Sequence, residues 1–209
     1  MDAKKPAPAT VRGEGRQALL DAARAVFAEK GFARAGIREI ANRAGVAIAV
    51  AYWHFKSKRG LFEAAVTEPI LAFVADFFAA WGEQEPGRQP AVDEAVAYFS
   101  GLYDVLHQER ELLLAMLADR EFSGEHTDAD PLESAFDQLL DLHEQMIKAE
   151  IDKRGYRHVD TYMWTRIFFA SILSMALHGS LIDARQARTK DEFVRQLAEM
   201  SIRGTRTLP

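Results

Sequence analysis

The chain has 209 residues, 48% of them hydrophobic and 27% charged, with a formal net charge of −5. This composition supports a sizeable core and excludes a disordered chain, and the absence of cysteine excludes a disulfide scaffold, a thiolate metal site and a cysteine nucleophile. No apolar run approaches the roughly 20 residues needed to cross a bilayer. No membrane partner is therefore expected, and the charged start Met1–Pro6 does not read as a secretory signal. A cysteine-free chain of this kind fits a cytoplasmic location.

The charge is unevenly distributed. Residues 1–60 hold 12 Lys/Arg against 5 Asp/Glu, and residues 61–209 hold 14 against 26. A basic N-terminal third on an acidic body points to a polyanion-binding module carried by a domain that does not bind polyanions.

Residues 1–15 contain Pro6, Pro8, Gly13 and Gly15 without apolar periodicity, and read as a flexible tail. From Arg16 apolar residues recur at spacings of three and four, first as Leu19, Leu20, Ala23, Val26 and Phe27. Gly31 stops this helix near Lys30. Ile37–Ala44 and Ile48–Phe55 are two short helices, and Ser57 caps a fourth running from Lys58 to about Trp81. Pro69 lies inside that pattern, where it removes a hydrogen bond and marks a kink or a junction. After a loop at 82–90 come helices over about Ala91–His107, Arg110–Phe122, Leu132–Arg154, Thr161–Ala187 and Lys190–Thr205. The fold class is all-α. The expected division is a tail at 1–15, a three-helix helix-turn-helix domain at 16–60, and a helical body at 61–209.

The informative feature is the pair of short helices around Gly45-Val46-Ala47. A tight glycine turn between two two-turn helices is helix-turn-helix geometry, with the second helix free to enter a major groove. Arg34, Arg38, Arg43, Lys56, Lys58 and Arg59 surround it as candidate phosphate ligands.

The segments Gly31-Phe32, Ile37-Arg38-Glu39-Ile40-Ala41, Ala44-Gly45-Val46, Tyr52-Trp53-His54-Phe55-Lys56-Ser57-Lys58 and Leu61-Phe62 resemble the DNA-binding domain of the TetR family of bacterial transcription regulators. The resemblance covers about residues 16–66. It implies a homodimeric repressor without enzymatic activity, an operator as double-stranded DNA partner, a small-molecule effector held in the body, and a dimer interface made by the last two helices. No cofactor or metal is implied. Carried over by position, Tyr52, His54 and Lys58 fall where the family contacts phosphates, Arg38 is a further backbone contact, and Ile48 and Val50 face base edges. Trp53 joins Tyr52 as a possible reader of bases.

The departures concern hydroxyls. Ala35 and Gly36 stand where the family commonly has Thr or Ser, and Ala47, Ala49 and Val50 replace a Ser, Gly, Ser/Thr pattern. From Ala47 to Ala51 no side chain donates or accepts a hydrogen bond. Base reading must then rely on thymine methyl contact, on Tyr52 or Trp53, or on neighbouring arginines. This keeps two alternatives open: a DNA-binding activator without inducer, and a helical ligand-binding protein with weak or lost operator binding.

The body supplies large apolar surface at helical spacing. Phe77, Trp81, Tyr98, Tyr103, Met116, Met146, Trp164 and Phe168 are the candidate ligand-lining residues, with His107 and His143 to orient a largely apolar ligand. The same aromatic stripes also serve an ordinary core. Gly13-Glu14-Gly15 is preceded by no strand and is rejected as a nucleotide-binding turn. His143-Glu144 lacks the second histidine, four residues on, of a zinc-protease helix.

Overall fold

The computed structural model of the chain describes residues 9–82, 91–123, 131–157, 159–183, 185 and 188–205. Among these residues every regular element is a helix: α1 (Ala9–Arg34), α2 (Ile37–Arg43), α3 (Ile48–Phe55), α4 (Lys58–Gly82), α5 (Ala91–Gln108), α6 (Arg110–Ser123), α7 (Pro131–Arg154), α8 (Thr161–Ile182) and α9 (Lys190–Thr205). They form two compact units, one of Met1–Glu68 with Glu111–Pro131, the other of Pro69–Arg110 with Leu132–Pro209.

In the first unit α1 begins at Ala9, ahead of the expected Arg16, and carries Gly13 and Gly15 inside it. The residues before Ala9 lie outside the described ones. A Cβ at Gly15 would lie in ordinary van der Waals contact with Val46 Cγ1, at 3.7 Å, so α1 passes close to the turn that follows α2 without the contact itself requiring glycine. Gly31, at φ 73 and ψ 164, ends the regular helix where the sequence predicts. The core is Leu19, Leu20, Ala23, Val26 and Phe27 from α1, Ile40 and Ala41 from α2, Ala51 and Phe55 from α3, and Leu61, Phe62 and Ala65 from α4, all buried. Phe62 meets Phe27 edge-on at 4.7 Å and Phe32 at 4.9 Å. Burying one such ring stabilises by about 1.5–3 kcal/mol.

Gly45 shows how the turn is built. Its φ of 68 is left-handed, its N–H donates to the Asn42 carbonyl at 3.1 Å, and the next N–H, Val46, reaches back to Ala41 at 3.0 Å. This paired closure satisfies two orphan carbonyls of α2 and needs a residue without a Cβ penalty. Val46 is half-buried beside this core.

Helix α4 runs through Pro69 without a break in its assignment, and the division between the units falls between Glu68 and Pro69. Proline cannot donate to the carbonyl four residues earlier, which is that of Ala65. Arg24 Nε donates to that oxygen instead, at 2.9 Å.

In the second unit α5 packs against α8 and α9. Leu102 and Leu106, Ile172 and Ala176, and Val194 and Ala198 are buried there. Helix α8 starts on a side-chain cap, Asp160 accepting from the Met163 N–H at 3.0 Å. It ends at Ile182, short of the expected Ala187, after a non-helical His178. The carbonyls just before that break are taken by side chains: His107 Nδ1 lies 3.1 Å from the Ala176 oxygen, and Arg110 Nε donates to Leu177 at 2.7 Å.

Candidate nucleic-acid interface

Helix α3 has two distinct sides. Ala51 and Phe55, four residues apart, are buried. Ala47, Ala49, Tyr52, Trp53 and Lys56 are exposed, Tyr52 at 48% and Trp53 at 60%, while Ile48, Val50 and His54 are half-buried. The outward side is therefore methyl groups followed by two large aromatic rings. Trp53 stands edge-on to His54 at 4.5 Å. Burial first, and then the positive charge of Arg16, hold the His54 imidazole below its ordinary pKa. Arg16 also lies 5.2 Å over the Phe55 ring and is ion-paired through both guanidinium nitrogens to Glu68. The end of α3 is thus tied to both α1 and α4.

Neither short helix has a side-chain cap. Gly36 precedes α2 and Ala47 precedes α3, both in extended conformation and both without a cap hydrogen bond. Their first N–H groups are left for another acceptor, which a phosphate oxygen can supply.

Most of the surrounding cations are committed elsewhere. Arg43 pairs with Glu29 at 2.7 Å, Arg59 with Glu63 at 3.1 Å, Arg34 donates to the Lys30 carbonyl, and Lys56 to that of Trp53. Lys58 donates to the carbonyls of Phe32 (2.8 Å) and Ala35 (3.2 Å), and its ammonium lies 4.4 Å above the Phe32 ring. It closes the C-terminal end of α1, a geometric role that its position in the motif did not reveal. Arg38 is different. It is exposed on α2 and has no ion pair or hydrogen bond among the described residues.

The eight candidate ligand residues of the body whose side chains are described do not converge on one pocket. Tyr98 and Trp164 line a small cavity of about 50 Å³, together with Phe99, Ile147, Ile151, Ser201 and the Glu94–Arg154–Glu150 ion-pair cluster. Phe77 and His143 pack around Tyr98 with ring centroids 5.0 Å away in each case. Phe168 stacks on Phe99 at 6.0 Å and touches Trp164 at 4.4 Å. Tyr103 and His107 stack on one another at 5.6 Å and face a separate open groove of about 550 Å³ with Arg110, Arg188 and Lys190. Met146 is half-buried and lines neither space. The side chains of Trp81 and Met116 lie outside the described ones. Glu94, Glu150 and Arg154 carried no signal in the sequence, because a carboxylate–arginine cluster brought together from α5 and α7 has no fixed spacing.

The N-terminal geometry defines a class: a helix-turn-helix protein with an exposed second helix. Residues 19–65 match the family model described as bacterial regulatory proteins, tetR family. The transcriptional activator FasR of Mycolicibacterium smegmatis is 36% identical over 102 residues, covering 46% of this chain and 47% of that protein. The transcriptional regulator AcrR of Shigella flexneri is 32% identical over 120 residues, 54% and 52% of the two chains. The chain therefore spans about half the length of these relatives. The structure of SmeT, the repressor of the Stenotrophomonas maltophilia efflux pump SmeDEF, matches with TM-score 0.59 at 25% identity over 91% of this chain and 89% of that one. Residues 19–65 are thus similar in sequence to the DNA-binding domain of the tetR family of bacterial regulatory proteins, and the relatives that share it are described as transcriptional regulators.

Proposed function

We propose that the protein is a dimeric repressor that releases its operator when a small, largely apolar ligand occupies the body. The observation that carries this reading is the outward side of α3, where Tyr52 and Trp53 stand free of the core with unpaired Arg38 on the neighbouring helix. Buried aromatics would be packing; exposed ones beside a free guanidinium suit a groove. With no hydrogen-bonding side chain from Ala47 to Ala51, bases are read by methyl contact, by the two aromatics and by Arg38, and shape contributes more than usual.

Two recognition helices must lie about 34–36 Å apart to meet successive major grooves. The last two helices supply a surface for the second copy. Met163 and Ile167 on α8 and Met200 on α9 are about half exposed, and exposed Ala170 permits close approach. Ligand in the body releases DNA by favouring a conformer in which the two helices are wrongly spaced, which requires only that it bind that conformer better.

The test is a mobility-shift titration on the DNA upstream of the protein's own gene at increasing salt. Affinity should fall steeply, about 0.9 log unit per log unit of salt for each phosphate neutralised. Binding indifferent to salt, or absent at low salt, defeats the reading. An activator role is the second reading, favoured by the likeness to the activator FasR. A transcription assay with the bound promoter separates the two.

A further inference from the structure

In a helix-turn-helix the opening residues of the second helix meet the base edges. In α3 these side chains carry methyl groups and nothing else. Ala47 and Ala49 are exposed, Ile48 and Val50 are half-buried, and Ala51 is buried. The larger exposed side chains, Tyr52 and Trp53, start a turn further along. The charge around this patch suits a polyanion, because residues 1–60 hold 12 Lys/Arg against 5 Asp/Glu. The nearby cations are held away from it. Arg43 pairs with Glu29 at 2.7 Å, and Lys56 donates to the Trp53 carbonyl at 3.1 Å. Arg38 stands on α2, the helix that crosses the phosphate backbone in this motif.

A major groove shows each pyrimidine at two places, ring positions 4 and 5. Thymine offers the O4 acceptor and the 5-methyl group, and cytosine offers the N4 amino donor and a bare carbon 5. Telling the two apart at position 4 takes a side chain that donates or accepts a hydrogen bond. From Ala47 to Ala51 there is none. What remains is the methyl group, which packs against alanine and valine methyls by removing apolar surface from water. 5-Methylcytosine carries that methyl on the same ring carbon, while its position 4 is that of cytosine. To a surface of this kind thymine and 5-methylcytosine are alike, and so are uracil and cytosine.

We infer that the first turn of α3 reads the 5-methyl group of a pyrimidine and not the identity of the base pair. 5-Methylcytosine therefore replaces thymine under it, and methylation of a cytosine at that position strengthens binding. The inference rests on the proposed DNA-binding function and names what that surface recognises.

The experiment changes only the DNA, so the fold of the protein is never in question. The full chain selects its preferred site from a random duplex pool. Each thymine of that site is then exchanged in turn for uracil, for cytosine and for 5-methylcytosine, with guanine opposite the last two. Affinity is read by fluorescence anisotropy at one salt concentration. At one or more thymines uracil should weaken binding about three- to fivefold, the worth of one buried methyl group. At the same positions cytosine should cost at least as much, and 5-methylcytosine should bring affinity back to within about twofold of thymine. The other thymines should tolerate uracil. Uracil equal to thymine throughout, 5-methylcytosine no better than cytosine, or a preferred site without thymine overturns the inference and leaves DNA binding standing. So does a uracil loss spread evenly over the site, which is the signature of altered duplex shape. No enrichment from the pool defeats the DNA-binding reading and this inference together.

Discussion

Arg24 donates from Nε to the carbonyl of Ala65 at 2.9 Å, the one oxygen in α4 that Pro69 leaves without its helical N–H. An interior proline costs roughly 3 kcal/mol when the freed carbonyl is buried and unpaired; here a side chain from α1 offsets part of that. Arg24→Met should therefore destabilise by about 1.5 kcal/mol. In a Pro69→Ala background residue 69 regains its N–H, and the same change should cost about 1 kcal/mol less. A double-mutant cycle in urea measures the coupling, and additive effects would mean that Arg24 does not stand in for the proline's missing donor.

Lys58 and Arg38 should separate cleanly. Lys58 is spent on the carbonyls at the end of α1, so Lys58→Met should lower stability by about 1 kcal/mol while leaving the salt dependence of DNA binding unchanged. Arg38→Ala should leave stability within about 0.5 kcal/mol and reduce the salt slope by about 0.9 if it neutralises one phosphate. Salt-dependent fluorescence anisotropy on one duplex reads both slopes.

The turn from α3 into α4 depends on Gly60. A Cβ there would sit 2.4 Å from the Phe55 carbonyl oxygen, and the Gly60 N–H is held by Ser57 Oγ at 2.9 Å. Because the obstacle is backbone, Gly60→Ala should cost more than about 2 kcal/mol. Ala47 offers the opposite case. Its φ of −68 and ψ of 142 are those of an N-cap that lacks only a side-chain acceptor. Ala47→Ser should stabilise by about 1 kcal/mol in chemical denaturation.

His143 predicts a limb in the stability–pH curve. Its pKa is lowered to about 3 in the fold and returns to about 6.5 in the unfolded chain. Between those values the unfolded state binds the extra proton, so stability falls as pH falls, by at most about 1.4 kcal/mol per pH unit. The contribution is fully present above about pH 6.5. His143→Phe should flatten this limb in urea melts taken between pH 4 and 7; an unchanged slope would mean that His143 is hydrated in the fold.

His54 carries a related prediction at the DNA-facing unit. Its pKa is lowered by burial and by the charge of Arg16, and removing that charge in Arg16→Met should raise it. The imidazole proton shifts in an NMR titration report the change directly.

The helical punctuation was legible because glycine and the capping residues act locally. Gly31, Gly45 and Ser57 do in the structure what their positions in the chain predict. The start of α1 was not legible: Gly13 and Gly15 read as breakers, yet both lie inside the helix. Lys58 was legible as a cation at a helix start but not as a lysine already spent on another helix's carbonyls. The ligand-lining residues were the least legible. Aromatic periodicity identifies an inward face without saying which rings surround a space, so Tyr98 and Trp164 meet at one cavity while Tyr103 and His107 meet at another.

By itself the order of amino acids determined the helices, the glycine turn and the likeness of residues 19–65 to one family's DNA-binding domain, because each depends on groups a few positions apart. Which cations and which buried hydroxyl and imidazole lack a partner among the described residues, and which carbonyl replaces its lost donor, were decided only in three dimensions. Those outcomes depend on partners such as Arg24 and Ala65, or Tyr98 and His143, whose separation along the chain says nothing about the distance between them.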